Sequence, residues 1–202
     1  MLQLKKYQQR SIDILENYLN ESFRLKEKEK EGHNLAFYKM TNAPYNKQEL
    51  DVPFVCIKIP TGGGKTVVAC HMIHSVFTKY AQSKNERGLV VWLVPTDAIR
   101  SQTLNALRNR NHFYREVLDH HFSNNVKILD FKEALSVKKS DIEDNLCILV
   151  ATFGAFRITD KEGRKAYGDN GGLLEHFQNV VQENLDRDEN KQIKYSLMNV
   201  IK

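Results

Sequence analysis

The chain has 202 residues, 41% of them hydrophobic and 27% charged, with a formal net charge of +5. That length fits a single domain with one good-sized core, or a core plus an appendage, and the composition is that of a globular rather than a disordered chain. The basic excess is compatible with a nucleic-acid partner and does not require one.

No run reaches the ~18 apolar residues of a membrane span. The N-terminal MLQLKKYQQRS has no apolar stretch of signal-peptide type. Cys56, Cys70 and Cys147 stand singly, without CxxC spacing, which argues against a disulfide framework and a structural zinc site. Three lone thiols fit a reducing, cytoplasmic setting.

Tyr7 to about Lys30 reads as a helix, because Ile12, Leu15, Leu19 and Phe23 recur at helical spacing with Ile14 and Tyr18 beside them. The run Lys26 to Glu31 alternates in charge, as a solvated helix end does. His33 to Pro53 is polar with scattered aromatics and reads as a long loop or insertion. An alternation of apolar runs and helical patterns follows. FVCIKI, Phe54 to Ile59, reads as a buried strand, and Lys65 to about Gln82 as a helix. GLVVWLV, Gly88 to Val94, is a second strand, and Asp97 to about Arg108 a second helix. VKIL, Val126 to Leu129, and LCILVAT, Leu146 to Thr152, are two more strands. Continuous apolar strands alternating with helices indicate a parallel sheet covered on both faces, an α/β fold. Beyond it come a polar loop from Thr159 to Gly172 and an amphipathic helix carrying Leu173, Leu174, Phe177, Val180, Val181 and Leu185. A turn at DRDEN and a last helical pattern through Leu197 and Ile201 follow.

Between the first strand and its helix lies Pro60-Thr61-Gly62-Gly63-Gly64-Lys65-Thr66. The end of the phosphate-loop pattern G-x-x-x-x-G-K-[ST] is present, although Ile59 stands where its first glycine would be. Gly62, Gly63 and Gly64 can take the positive φ values that turn backbone N–H groups toward an anion. The helix start at Lys65 adds free N–H groups and a positive dipole end. Lys65 would neutralise the β- and γ-phosphates of ATP, Thr66 Oγ would complete a Mg2+ shell, and Thr61 would shape the loop from the other side.

This stretch resembles motif I of superfamily 2 helicases and translocases, a group that often lacks the first glycine. Three weaker matches occur in the family's order. Leu4-Lys5-Lys6-Tyr7-Gln8 resembles its L-x-x-Y-Q adenine-contact element. LVPTDAIRSQT, Leu93 to Thr103, resembles motif Ia. ILVATFGAF, Ile148 to Phe156, resembles a later nucleic-acid backbone contact. The wording is most similar to the restriction (Res) subunit of type III restriction enzymes. The resemblance implies a RecA-like P-loop lobe formed by residues 1–202 as one N-terminal ATP-binding domain. Within it are a helix over 1–31, an insertion or loop over 32–53 and the sheet core over 54–202. It implies ATP and Mg2+ as cofactors, with adenine contact by Tyr7 and Gln8. It also implies double-stranded DNA held by Thr96, Arg100, Gln102, Thr152 and Phe153, and a methyltransferase (modification) subunit as partner. Thr96 and Thr152 are equally well placed as helix caps.

Hydrolysis in that family needs an Asp-Glu pair at the end of a buried strand. The only Asp-Glu is Asp188-Glu189, with no apolar strand before it. Asp130 follows VKIL but lacks the neighbouring Glu. The resemblance therefore implies a lobe incomplete at its C-terminus, an N-terminal fragment with little turnover of its own. Another superfamily 2 helicase acting on DNA or RNA, or a P-loop nucleotide-binding module without a motor partner, stays open as an alternative. Arg100, Arg108, Arg110 and Arg115 read mostly as a solvated basic face. His71 and His74, three apart, read as packing or surface residues.

Overall fold

In the computed structural model, which describes residues 3–26, 32–44, 52–82, 86–156, 166–178 and 185–202, the chain opens with α1 (Lys6–Lys26). Ile12, Leu15, Tyr18, Leu19 and Leu25 are buried along one stripe of it, the 3–4 spacing that the sequence displays. The charge run lies outside the described residues from position 27 to 31. The stretch read as a loop instead begins with a second helix, α2 (Gly32–Thr41). Its Ala36 is buried against Leu15, Tyr18, Leu19 and Leu25, and Phe37 meets Tyr18 edge-on with ring centroids 6.2 Å apart. The stretch GHNLAFYKMT has no clear apolar period of its own, and the packing against α1 makes it a helix.

A second departure precedes the glycine turn. Phe54–Ile59 forms no strand: Phe54, Val55 and Cys56 are exposed, and Ile59 is the buried end of the run. A strand exists only through the ladder it shares with a neighbour, and no strand pairs with this run among the described residues. The chain then enters α3 (Lys65–Val76), extended by a single wider π turn, Phe77–Ala81, that stops at Gln82 in a left-handed conformation. The helix expected over Lys65 to about Gln82 is thus present with a changed last turn.

These elements, joined by Glu116–Ser123, make one compact unit; Arg87–Arg115 and Asn124–Lys202 make a second. The second unit contains the sheet. Its strands are β1 (Gly88–Val94), β2 (Val126–Leu129) and β3 (Leu146–Thr152), all parallel, in the order β1-β3-β2. β1 runs beside β3 from Gly88↔Leu146 to Val94↔Thr152, and β2 from Val126↔Leu146 to Leu129↔Leu149. All three match the apolar runs of the sequence. The middle strand is the most apolar, and Leu146 to Ala151 have no exposed surface, as two neighbours and two covered faces require.

Between these strands lie α4 (Asp97–Arg108), α5 (Phe113–His121), α6 (Phe131–Ala134) and α7 (Lys139–Asp144). Cys147, Leu149 and Ala151 point to one face of the sheet, where Leu129, Ala134, Val137, Leu173 and Leu197 join them. Leu104 and Leu107 of α4 are buried apart from that cluster. The helix expected from Leu173 is a short 3-10 helix, Gly171–Phe177, whose first turn is capped by Asn170. The glycine pair at its start disfavours an α-helix there. Residues 179–184, with Val180 and Val181, lie outside the described residues. Asp188 and Lys191 close a turn between Arg187 and Ile193, which places Asp188-Glu189 in a hairpin tip. The last helix is α8 (Leu197–Ile201).

Candidate functional site

The glycine turn has the backbone that an anion cradle needs. Gly62 has φ 75° and Gly64 has φ 78°, left-handed values that suit glycine. Gly64 caps α3, so the N–H groups of the first helical turn carry no intrahelical acceptor. The main chain is also closely held. Gly63 N donates to Pro60 O at 3.0 Å, and a Cβ on Gly63 would stand 2.6 Å from Ile59 Cγ2. Lys65 is exposed and folds back over the loop, donating to Ile59 O and Pro60 O at 3.2 Å each. Thr66 is half-buried in the first turn of α3, and Thr61 is exposed before the glycines.

The start of α1 reaches this turn. Tyr7 Oη and Gln8 Nε2 both donate to Gly63 O, each at 2.9 Å. Gln8 is buried, and its Oε1 accepts from Lys5 N at 2.8 Å. A Cβ on Gly64 would clash with Gln8 Nε2. Two segments 55 residues apart in sequence are thus joined by hydrogen bonds.

Farther along α3, histidines gather. His71 Nδ1 is 2.9 Å from His121 Nε2, one nitrogen donating and the other accepting. The His74 ring stacks on His121 at 4.3 Å, and His74 Nδ1 lies 3.3 Å from Glu86 Oε2, outside hydrogen-bond alignment. Burial, then the nearby His74, His71 and His120, pushes His121 down to about 4. Burial and the charges of His74 and His120 lower His71 as well. No group of three His, Cys, Asp or Glu side chains among the described residues is arranged to hold a metal. Burial pushes the Cys70 thiol, on the same helix, up to about 12.

In the second unit, the predicted nucleic-acid residues cluster at the C-terminal ends of adjacent strands. Val94 pairs with Thr152, so Pro95-Thr96 and Thr152-Phe153 leave the sheet side by side. This is the edge where an open parallel sheet presents ligand sites. Thr96 caps α4, its Oγ1 accepting from Ile99 N at 3.3 Å. Gln102 and Phe153 are exposed, and Thr152 is half-buried. Arg100 pairs with Asp97 at 2.9 Å.

Of the other arginines, Arg108 and Arg110 are exposed, as the solvated face read from the sequence requires, and Arg115 departs from it. Arg108 pairs with Glu133 and, at 4.0 Å, with Asp130. Arg115 is buried, donating to Leu107 O at 3.2 Å and Val126 O at 3.0 Å. Asp130 caps α6: its Oδ1 accepts from Glu133 N at 2.9 Å, while Glu133 Oε2 accepts from Asp130 N at 2.7 Å. The signal for this is in the sequence, since D-F-K-E carries the Asp-x-x-Glu pattern of a capping box. The capping role accounts for Asp130 without a magnesium ion.

The sequence model of one family, described as "Type III restriction enzyme, res subunit", matches residues 1–194. The chain belongs to that family. It is thereby a helicase-like ATPase lobe of superfamily 2, and its three-stranded parallel sheet flanked by helices is consistent with a RecA-like fold. The Res family generally uses ATP and Mg2+ and acts on DNA together with a modification subunit. No helix among the described residues is long and apolar enough to cross a membrane. No curated protein and no solved structure matches the chain.

Proposed function

We propose that the chain binds ATP·Mg2+ through Gly62–Thr66 and serves as the ATP-binding lobe of a DNA-dependent translocase in a type III restriction enzyme. The observation that carries the reading is the left-handed pair Gly62 and Gly64 leading directly into Lys65 and the first turn of α3. That turn offers backbone N–H groups, a helix dipole and an ammonium group to one anion. Lys65 exchanges its two carbonyl partners for phosphate oxygens. Thr66 Oγ1 would hold the magnesium ion, which screens the charge of the triphosphate. Thr61 lines the entrance.

Duplex DNA runs along the strand-end edge, held by Thr96, Gln102, Thr152 and Phe153, with Arg100 turning from Asp97 to a phosphate. These groups hold backbone without reading sequence. In the whole cytoplasmic enzyme, hydrolysis drives movement on DNA beside a methyltransferase subunit. The test is ATP titration with and without Mg2+ on the native chain and on Thr66→Ala. The native chain binds more tightly with Mg2+, and the variant loses most of that gain. Mg2+-indifferent binding by the native chain contradicts the reading.

A further inference from the structure

The main chain of the turn suggests what Tyr7 and Gln8 do there. Both atoms of the Gln8 amide that could face a base edge are engaged by backbone, Nε2 by Gly63 O at 2.9 Å and Oε1 by Lys5 N at 2.8 Å. The side chain is 6% exposed. Tyr7 Oη adds a second hydrogen bond to the same Gly63 oxygen, from a residue that is 42% exposed. One carbonyl with two donors has its direction fixed.

A peptide unit is planar and trans, so its C=O and N–H point opposite ways. Gly63 O is turned toward α1, and the N–H of Gly64 is therefore turned away from it. Gly64 N–H is one of the donors that the cradle offers. Gln8 Nε2 also stands where a Cβ on Gly64 would lie, so the amide packs directly against the turn.

We infer that Tyr7 and Gln8 are positioning residues for the phosphate chain: they fix the Gly63–Gly64 peptide and so aim one N–H of the anion cradle. This rests on the nucleotide reading above. It makes a statement that base contact does not make: these side chains govern any ligand with a triphosphate, whatever base it carries. Gln8 keeps one Nε2 hydrogen and one Oε1 lone pair beyond these two bonds, so fixation of the loop does not depend on whether a base is also contacted.

The experiment compares ATP with inorganic tripolyphosphate, both with Mg2+, by calorimetric titration of the native chain, Tyr7→Phe, Gln8→Glu and Lys65→Ala. Tyr7→Phe removes one hydroxyl from a partly exposed ring and leaves the fold alone. It weakens both ligands by the same factor, about three- to tenfold, the worth of one hydrogen bond. Gln8→Glu keeps the acceptor for Lys5 N but sets a carboxylate against Gly63 O, and weakens both ligands at least as much. The amide resonance of Gly64 moves in ligand-free Tyr7→Phe, which a remote structural effect would not single out. If both substitutions weaken ATP and leave tripolyphosphate untouched, Tyr7 and Gln8 read the base and the inference is wrong. It is equally wrong if Tyr7→Phe changes neither ligand. If Lys65→Ala leaves both affinities unchanged, the phosphate-loop reading itself falls, and this inference with it.

Discussion

Phe54–Ile59 and Leu146–Ala151 are six-residue runs of similar composition, FVCIKI and LCILVA. They have different fates. The second is the middle strand of a parallel sheet, without exposed surface. The first forms no strand among the described residues, with Phe54 55% exposed. Apolar character marks what a segment can bury, while strand formation depends on neighbours that supply its hydrogen bonds. For β3 those neighbours, β1 and β2, lie on either side in register.

The largest contrast between the two runs is energetic. Leu149→Ala removes a side chain enclosed by Leu129, Ala134 and Val137 and costs about 2–5 kcal/mol. Val55→Ala, at an exposed position, stays within about 0.5 kcal/mol. Chemical denaturation of the two variants measures both, and equal losses would erase the distinction.

Each run also carries a cysteine, which gives a second contrast. Burial, followed by the nearby Asp141 carboxylate, pushes Cys147 up to about 11, whereas Cys56 is exposed. A thiol reagent at pH 8 labels Cys56 quickly, and labels Cys147 and the buried Cys70 only on unfolding. Fast labelling of Cys147 in the native chain would place it outside the sheet interior.

Acid gives the smallest contrast, between the units that hold the two runs. His121 falls from its ordinary 6.5 to about 4 on folding, so the unfolded chain binds the proton more readily. Its contribution is complete above pH 6.5 and is lost as pH falls toward 4. In the sheet unit, the hydrogen bond from Lys127 holds Asp141 below its ordinary 3.8. That contribution is intact above pH 3.8 and fades only below it. Amide protection factors along α3 therefore decline before those of β3 as pH drops from 6.5. Simultaneous loss would show that the histidine cluster does not set the acid limit of its unit.

The same logic explains what could be read from the sequence. β1, β2, β3 and α4 begin and end where their apolar runs, Thr96 and the basic Arg108 indicate, because those signals are local. The turn Gly62–Lys65 was legible because its demand is on backbone conformation, which three glycines express directly. α2 was not, because its helicity comes from Ala36 docking on α1. Arg115 was misread because two main-chain carbonyls, Leu107 O and Val126 O, draw its guanidinium inward, and no local pattern encodes them. Asp130 was half legible: its place after a strand invited a metal role, while the Glu three residues on already spelled a cap.

The central claim is that Lys65 and the glycine turn hold a nucleotide triphosphate. It is tested most directly by calorimetric titration of the native chain and Lys65→Ala with ATP and Mg2+. The account predicts saturable binding to the native chain and a loss of about tenfold or more in the variant, the effect of removing a charge-assisted contact. Equal affinity in the two proteins would contradict it.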